Sequence, residues 1–282
     1  MPDEFDRLPP LRDIIASYDL AAKKQLGQNF LLDLNLTGRI ARTAGDLSNT
    51  TVIEVGPGPG GLTRAILASN AKRVIAIERD PRCFKALNAY LCPTYPDQLS
   101  VIEGDALEQD FLNLAPKPRR IMSNLPYNIA TPLLINWLKN AKEYDGFTLM
   151  FQKEVADRIV ATPRTKAYGR LSIMCQWLCD VRIEFNVDKR AFTPPPKVQS
   201  SIVNLTPRPQ PLAPASWSAM EKVVATAFGQ RRKMLRQSLK GLGINAQDCG
   251  LLETARAEEL SVQDFAKLAR LYEDLMPNGV KV

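Results

Sequence analysis

The stretch Glu54-Val55-Gly56-Pro57-Gly58-Pro59-Gly60-Gly61 constrains this chain more than any other. It follows the β-branched run Thr51-Val52-Ile53 and precedes Leu62-Thr63-Arg64-Ala65-Ile66-Leu67, which has helical spacing. A strand, a glycine-rich turn and a helix in that order form the first crossover unit of a nucleotide-binding α/β sheet. Gly56, Gly58 and Gly61 fit a G-x-G-x-x-G dinucleotide fingerprint, whereas Gly56, Gly58 and Gly60 fit the G-x-G-x-G loop of methyltransferases. In either class an acid further along, here Glu78, holds a ribose. The prolines favour the second pattern. A pyrophosphate needs backbone N–H groups at the helix start, and Pro57 and Pro59 each remove one. S-adenosyl-L-methionine carries no phosphate and needs only close approach to the backbone. Glu54 could face such a ligand or the loop's own N–H groups.

Further apolar runs alternate with helix-like segments: Arg73–Glu78, Leu99–Glu103, Arg120–Asn124 and Phe147–Phe151. That alternation predicts crossover units and a mostly parallel sheet. Ligands bind at the carboxyl ends of such strands, which makes Glu54, Glu78, Asp105 and Asn124 candidates for one site. Asp105 is placed to accept from the exocyclic amine of the cofactor's adenine, or simply to make a Gly-Asp turn. Two later runs, 180–187 and 199–205, are expected as an antiparallel pair at the sheet edge. Three consecutive prolines, Pro194-Pro195-Pro196, make the segment between them a stiff loop.

Prolines at 207, 209 and 211 mark a linker near 206–215, beyond which the pattern is helical. The expected domains are therefore 1–207 and 208–282. The net charge is +7, and it is concentrated. Residues 206–245 hold seven basic residues against Glu221 alone, while 246–282 hold four basic and seven acidic residues. Such a patch suits a polyanion, or a solvated helix face.

Ser123-Asn124-Leu125-Pro126-Tyr127 names a reaction. The N6 lone pair of adenine is delocalised into the ring and is a poor nucleophile. Acceptors on its two N–H groups, the Asn124 side-chain oxygen and the Leu125 carbonyl, would localise the pair and align it for attack. Pro126 stiffens the turn, and Tyr127 offers a stacking face to an extruded base. Read alone, Tyr127 and Phe192 could equally be core aromatics. No general base is required, because the methylated cation can lose its proton to water; the chain has no histidine.

With these motifs the chain resembles the ribosomal RNA adenine N6-dimethyltransferases over about residues 18–275, most closely the small-subunit branch. Lys23-Lys24-Gln25-Leu26-Gly27-Gln28-Asn29-Phe30-Leu31 looks like the family's N-terminal cofactor motif. Phe192-Thr193-Pro194-Pro195-Pro196-Lys197-Val198 is similar to its second base-stacking loop, and Phe228-Gly229-Gln230-Arg231-Arg232-Lys233 to the start of its helical domain. The resemblance implies a class I methyltransferase fold, Rossmann-like α/β with a seven-stranded mostly parallel sheet, and a small C-terminal all-helical domain. It implies S-adenosyl-L-methionine held by Asn29, Leu31, Gly56, Gly58, Glu78, Asp105 and Asn124. It implies a catalytic set of Asn124, Leu125, Pro126, Tyr127 and Phe192, with Arg231, Arg232 and Lys233 on RNA. The implied partner is the small ribosomal subunit and its RNA. A large-subunit resistance methyltransferase and a non-catalytic assembly factor are the competing readings. Residues 1–17 precede the motifs and are expected to be a surface appendage.

The remaining expectations are negative. No apolar run approaches the roughly 20 residues of a membrane helix, and the N-terminus lacks a basic region followed by an apolar one. A cytoplasmic monomer is expected. The five scattered cysteines argue against a disulfide framework. Cys175 and Cys179, one helical turn apart and without histidine, read as buried apolar side chains rather than metal ligands.

Overall fold

The computed structural model describes residues 8–230 and 232–275. Among these described residues there are nine strands: β1 (Phe30–Leu31), β2 (Thr51–Val55), β3 (Arg73–Glu78), β4 (Leu99–Glu103), β5 (Arg119–Asn124), β6 (Gly146–Gln152), β7 (Cys179–Val187), β8 (Phe192–Thr193) and β9 (Ser200–Pro207). Every residue of β2 is buried. That is why β2 reads as a continuous apolar run rather than an alternation: a central parallel strand is covered on both faces.

Seven strands form one sheet in the order β4-β3-β2-β5-β6-β9-β7. The pairs β3–β4, β2–β3, β2–β5 and β5–β6 are parallel, and β9 runs antiparallel to β6. The two late strands are neighbours at the sheet edge, with β7 outermost. The chain winds from β2 outward through β3 to β4, then returns to β5 on the other side of β2. This reversal opens a crevice beyond the ends of β2 and β5, where α/β sheets bind ligands. The core against the sheet includes Val52, Ile66, Val74, Leu87, Met122 and Ile202.

The helices start where the sequence supplies caps. Asp33 accepts from the N–H groups of Asn35 and Leu36 at the head of the helix Leu34–Arg42. Asp80 caps Pro81–Tyr90, with a proline at its first position.

Residues 11–17 are not a surface appendage. They form a helix that buries Leu11 and Ile14. Ile14 and Leu20 pack with Phe30, Cys83 and Ala86. The i, i+3 spacing of Leu11 and Ile14 gives the short helix an apolar stripe. The first seven residues lie outside the described ones.

The second compact unit is not the single stretch expected after residue 207. It takes in the described residues of 157–181 and 207–282, and the first unit those of 1–156 and 182–206. The segment 157–181 joins the later helices through large side chains. Trp177 packs against Trp217, and Tyr168 meets Phe228 edge-on. Phe228 stacks on Phe265. The Trp177 indole donates to the Ala213 carbonyl and the Tyr168 hydroxyl to that of Leu260. This unit is helical, built on Arg170–Leu178, Trp217–Gly229 and Val262–Leu275. Cys175 and Cys179 are free thiols, both buried, and burial pushes both thiols up.

Candidate active site

The crevice beyond β2 and β5 is a cleft lined by Asn29, Leu31, Glu54, Gly56, Gly58, Glu78, Asp105, Asn124, Leu125, Pro126 and Tyr127, among others. Five chain segments far apart in sequence meet there.

The glycine loop supplies the floor. Gly58 has φ +56°, and a Cβ there would stand 3.0 Å from the Phe30 ring. Both conformation and space therefore demand glycine. Its N–H donates to Glu78 Oε2 at 2.9 Å, and the Asp80 N–H donates to Oε1 at 2.7 Å. Burial raises the Glu78 pKa, and these N–H donors work against that rise. The turn thus presents a carboxylate held by the backbone, and each oxygen keeps a lone pair for a ribose hydroxyl.

Glu54 settles the ambiguity left by its sequence. It is 1% exposed, it lines the cleft, and its Oε2 has no hydrogen-bond partner. Burial pushes its pKa up to about 8, opposed by the nearby Thr63 hydroxyl and assisted by the charge of Glu78. A buried acceptor of this kind calls for a donor on the ligand. The ammonium of a methionine-type methyl donor meets that demand, so the cleft fits the cofactor implied by the glycine pattern.

At the other end, Asp105 Oδ1 accepts from the Leu107 N–H at 2.9 Å. Its Oδ2 pairs with Arg79 Nη1 at 3.1 Å. The turn reading and an acceptor role are therefore compatible, since lone pairs remain on both oxygens.

The β5 end is tied to β2 by the Ser123 hydroxyl, which donates to the Val55 carbonyl at 2.5 Å. Asn124 follows. Its Nδ2 donates to the Asn29 carbonyl at 3.1 Å. A carbonyl only accepts, so the amide nitrogen must face Asn29, and Oδ1 is left as the acceptor at the cleft wall. Pro126 begins the next helix, Tyr127–Leu138, and its carbonyl accepts from Ile129 and Ala130. The Tyr127 hydroxyl is 2.7 Å from that of Ser200. Burial raises the Tyr127 pKa despite Ser200.

The N-terminal segment Gln25–Leu31 lines the cleft. Its last two residues, β1, pair antiparallel with β8, Leu31 facing Phe192. Phe192 is the one proposed catalytic residue that the structure does not bring to the cleft. It is 2% exposed and belongs to the core with Leu31, Val187 and Ile202. The side chains exposed between Phe192 and β9 are Thr193, Pro194, Pro195, Lys197, Val198 and Gln199. Of the basic trio, Arg232 and Lys233 are exposed in the second unit; Arg231 lies outside the described residues. Sequence reasoning missed Asp80, Arg82 and Ser200. An Asp-Pro helix cap was a signal for Asp80, but nothing local marked Ser200.

The strand order, the switch point beside β2 and the glycine turn define a class I methyltransferase fold with a helical C-terminal region. The chain belongs to the ribosomal RNA adenine dimethylase family, whose profile matches residues 20–274. A ribosomal RNA small subunit methyltransferase A from Rhodospirillum rubrum is 60% identical over 268 residues, 94% of this chain and 93% of that one. Among solved structures, a dimethyladenosine transferase from Plasmodium falciparum superposes with TM-score 0.74 at 27% identity, covering 86% of this chain and 96% of that one. The 23S rRNA methyltransferase ErmE superposes with TM-score 0.66 at 30% identity, covering 87% of this chain and 100% of that one. The protein is an enzyme, an RNA adenine methyltransferase.

Proposed function

We propose that the chain transfers methyl groups from S-adenosyl-L-methionine to N6 of two adjacent adenines near the 3′ end of small-subunit ribosomal RNA. The substrate is the small subunit or its precursor in the cytoplasm, and the modification accompanies assembly. The observation that carries this reading is the fixed amide of Asn124, with its acceptor end at the wall of the cleft that also holds the glycine loop and Glu78. The choice of the small subunit is supported by the name of the Rhodospirillum rubrum relative.

The methyl donor, when bound, supplies an electrophilic methyl group on a sulfonium. The chain's residues do the rest. Glu54 takes the ammonium, and Glu78 the ribose hydroxyls. Asp105 meets the donor's adenine. Asn124 Oδ1 and the Leu125 carbonyl accept from the two N–H groups of the target amine, localise its lone pair and hold it in line. Tyr127 gives the extruded base a face to lie against. The proton leaves from the methylated amine to water, which suits a site without histidine. After the first transfer one N–H remains, and one acceptor suffices to align the amine again.

The test offers unmodified small subunits and free large-subunit RNA in competition for one limiting pool of labelled donor. Label in the small subunit supports the reading. Label confined to large-subunit RNA would replace it with the resistance-methyltransferase reading, and no label with particles still bound would leave an assembly factor.

A further inference from the structure

The carboxylate of Asp80 is wholly buried and saturated with donors. Its Oδ1 accepts from the Arg82 N–H and Nε, each at 3.1 Å. Its Oδ2 accepts from Arg82 Nη2 at 2.7 Å and from Gln28 Nε2 at 3.0 Å. A two-pronged guanidinium–carboxylate pair of this kind is strong and directional. Burial would raise the pKa of Asp80, but hydrogen bonds from Arg82 and Gln28 outweigh it and hold it at about 2. The pair therefore stays charged throughout the working range.

Both partners reach into the N-terminal segment. Arg82 Nη1 donates to the Asp19 carbonyl at 2.6 Å, and Nη2 to that of Ala21 at 3.2 Å. Gln28, held by Asp80 on one side, accepts from the Lys23 N–H at 2.8 Å on the other. The next residue, Asn29, lends its carbonyl to the Asn124 amide. On the opposite side the Asp80 N–H holds Glu78. One hydrogen-bonded path thus runs from the ribose-side acid through Asp80, Gln28 and Asn29 to Asn124. Neither Asp80 nor Arg82 lines the cleft, so neither is a ligand of donor or base.

We infer that Asp80 and Arg82 are positioning residues for methyl transfer: they hold Gln28, and through it the Asn29 carbonyl, in the place that orients the Asn124 amide. The inference rests on the reading of Asn124 as the acceptor for the target amine. The energetic argument is one of tolerance, since a misplacement of about 1 Å at a reacting centre costs about a hundredfold in rate. The segment from residue 18 to 29 has little regular structure of its own. Its register is set by these side-chain bonds.

The experiment is a double-mutant cycle on the full-length protein. It uses single-turnover transfer to unmodified small subunits at saturating donor, with donor affinity by calorimetry and melting temperature alongside. Asp80→Asn puts an amide nitrogen against donors. It should slow transfer about tenfold, by more than it weakens donor binding, with Arg82→Lys milder than Arg82→Ala. In an Asn124→Ala background, Asp80→Asn should slow the residual transfer by less than twofold, because the path then ends on nothing. Should Asp80→Asn fail to fold, Arg82→Lys carries the same cycle. Losses that multiply independently would overturn the coupling and leave Asn124 in its role. Undiminished transfer by Asn124→Ala alone would overturn both.

Discussion

The side-chain nitrogen of Asn124 stands 3.1 Å from the backbone oxygen of Asn29, and this bond decides which end of the amide is left as an acceptor. Asn124→Asp separates the bond to Asn29 from the acceptor role proposed for the side chain. It keeps an acceptor but sets a carboxylate oxygen against the Asn29 carbonyl. We predict that Asn124→Asp loses transfer about as severely as Asn124→Ala, roughly a hundredfold or more, the scale seen when a preorganised catalytic hydrogen bond is removed. Single-turnover rates for the two variants check this. Near-native rates for Asn124→Asp would mean that the bond to Asn29 is irrelevant.

Tyr127 and Ser200 form a second link, between the turn after β5 and the start of β9, at 2.7 Å. If the hydroxyl of Ser200 sets the tilt of the tyrosine ring, Ser200→Ala and Tyr127→Phe should each slow transfer. Together they should do little more than either alone. The coupling expected is about 1 kcal/mol, the net worth of one hydrogen bond. Additive effects in the cycle would show that the contact does not position the ring.

Glu54 makes stability depend on pH in a direction opposite to that of an ordinary paired carboxylate. Its native pKa is raised from 4.5 to about 8 by burial. Between those values the folded state holds a proton that the unfolded state has lost. Stability is therefore full below 4.5 and falls as pH rises through about 8. Glu78 is also raised and adds a fall of the same sign. Thermal melts of the ligand-free protein should show the decline, and Glu54→Gln should flatten it. An unchanged slope in that variant would show that Glu54 is ionised in the folded state.

Arg232 and Lys233 are exposed at the end of the helix Trp217–Gly229. If they contact phosphates, neutralising each should lower the logarithmic salt slope of particle binding by about 0.7–0.9. A slope that does not move would place them on a solvated face.

Much of the sheet was legible because its strands are apolar runs ended by the residues that line the cleft. Thr51–Val55 reads as a buried strand because it is one, and the Gly56 turn and the Asn124 turn mark strand ends directly. What escaped reading depends on partners distant in sequence. Leu11 and Ile14 form a two-residue stripe that means little until Phe30, Cys83 and Ala86 are seen beside it. Trp177 and Tyr168 draw 157–181 into the second unit because Trp217 and Phe228 wait there, and no local pattern announces that. Phe192 shows the converse. Its motif suggested a stacking surface, but its position opposite Leu31 buries the ring. The Asp80–Arg82 pair lay in plain sight as a helix cap, and its reach to Gln28 needed three dimensions.

The most direct measurement is the chemical identity and position of the product. The purified protein is mixed with labelled S-adenosyl-L-methionine and small subunits that lack the modification, and the RNA is then digested and mapped. Our account predicts N6,N6-dimethyladenosine at two adjacent positions near the 3′ end. Label on another base or another atom, or none with the donor still bound, would contradict it.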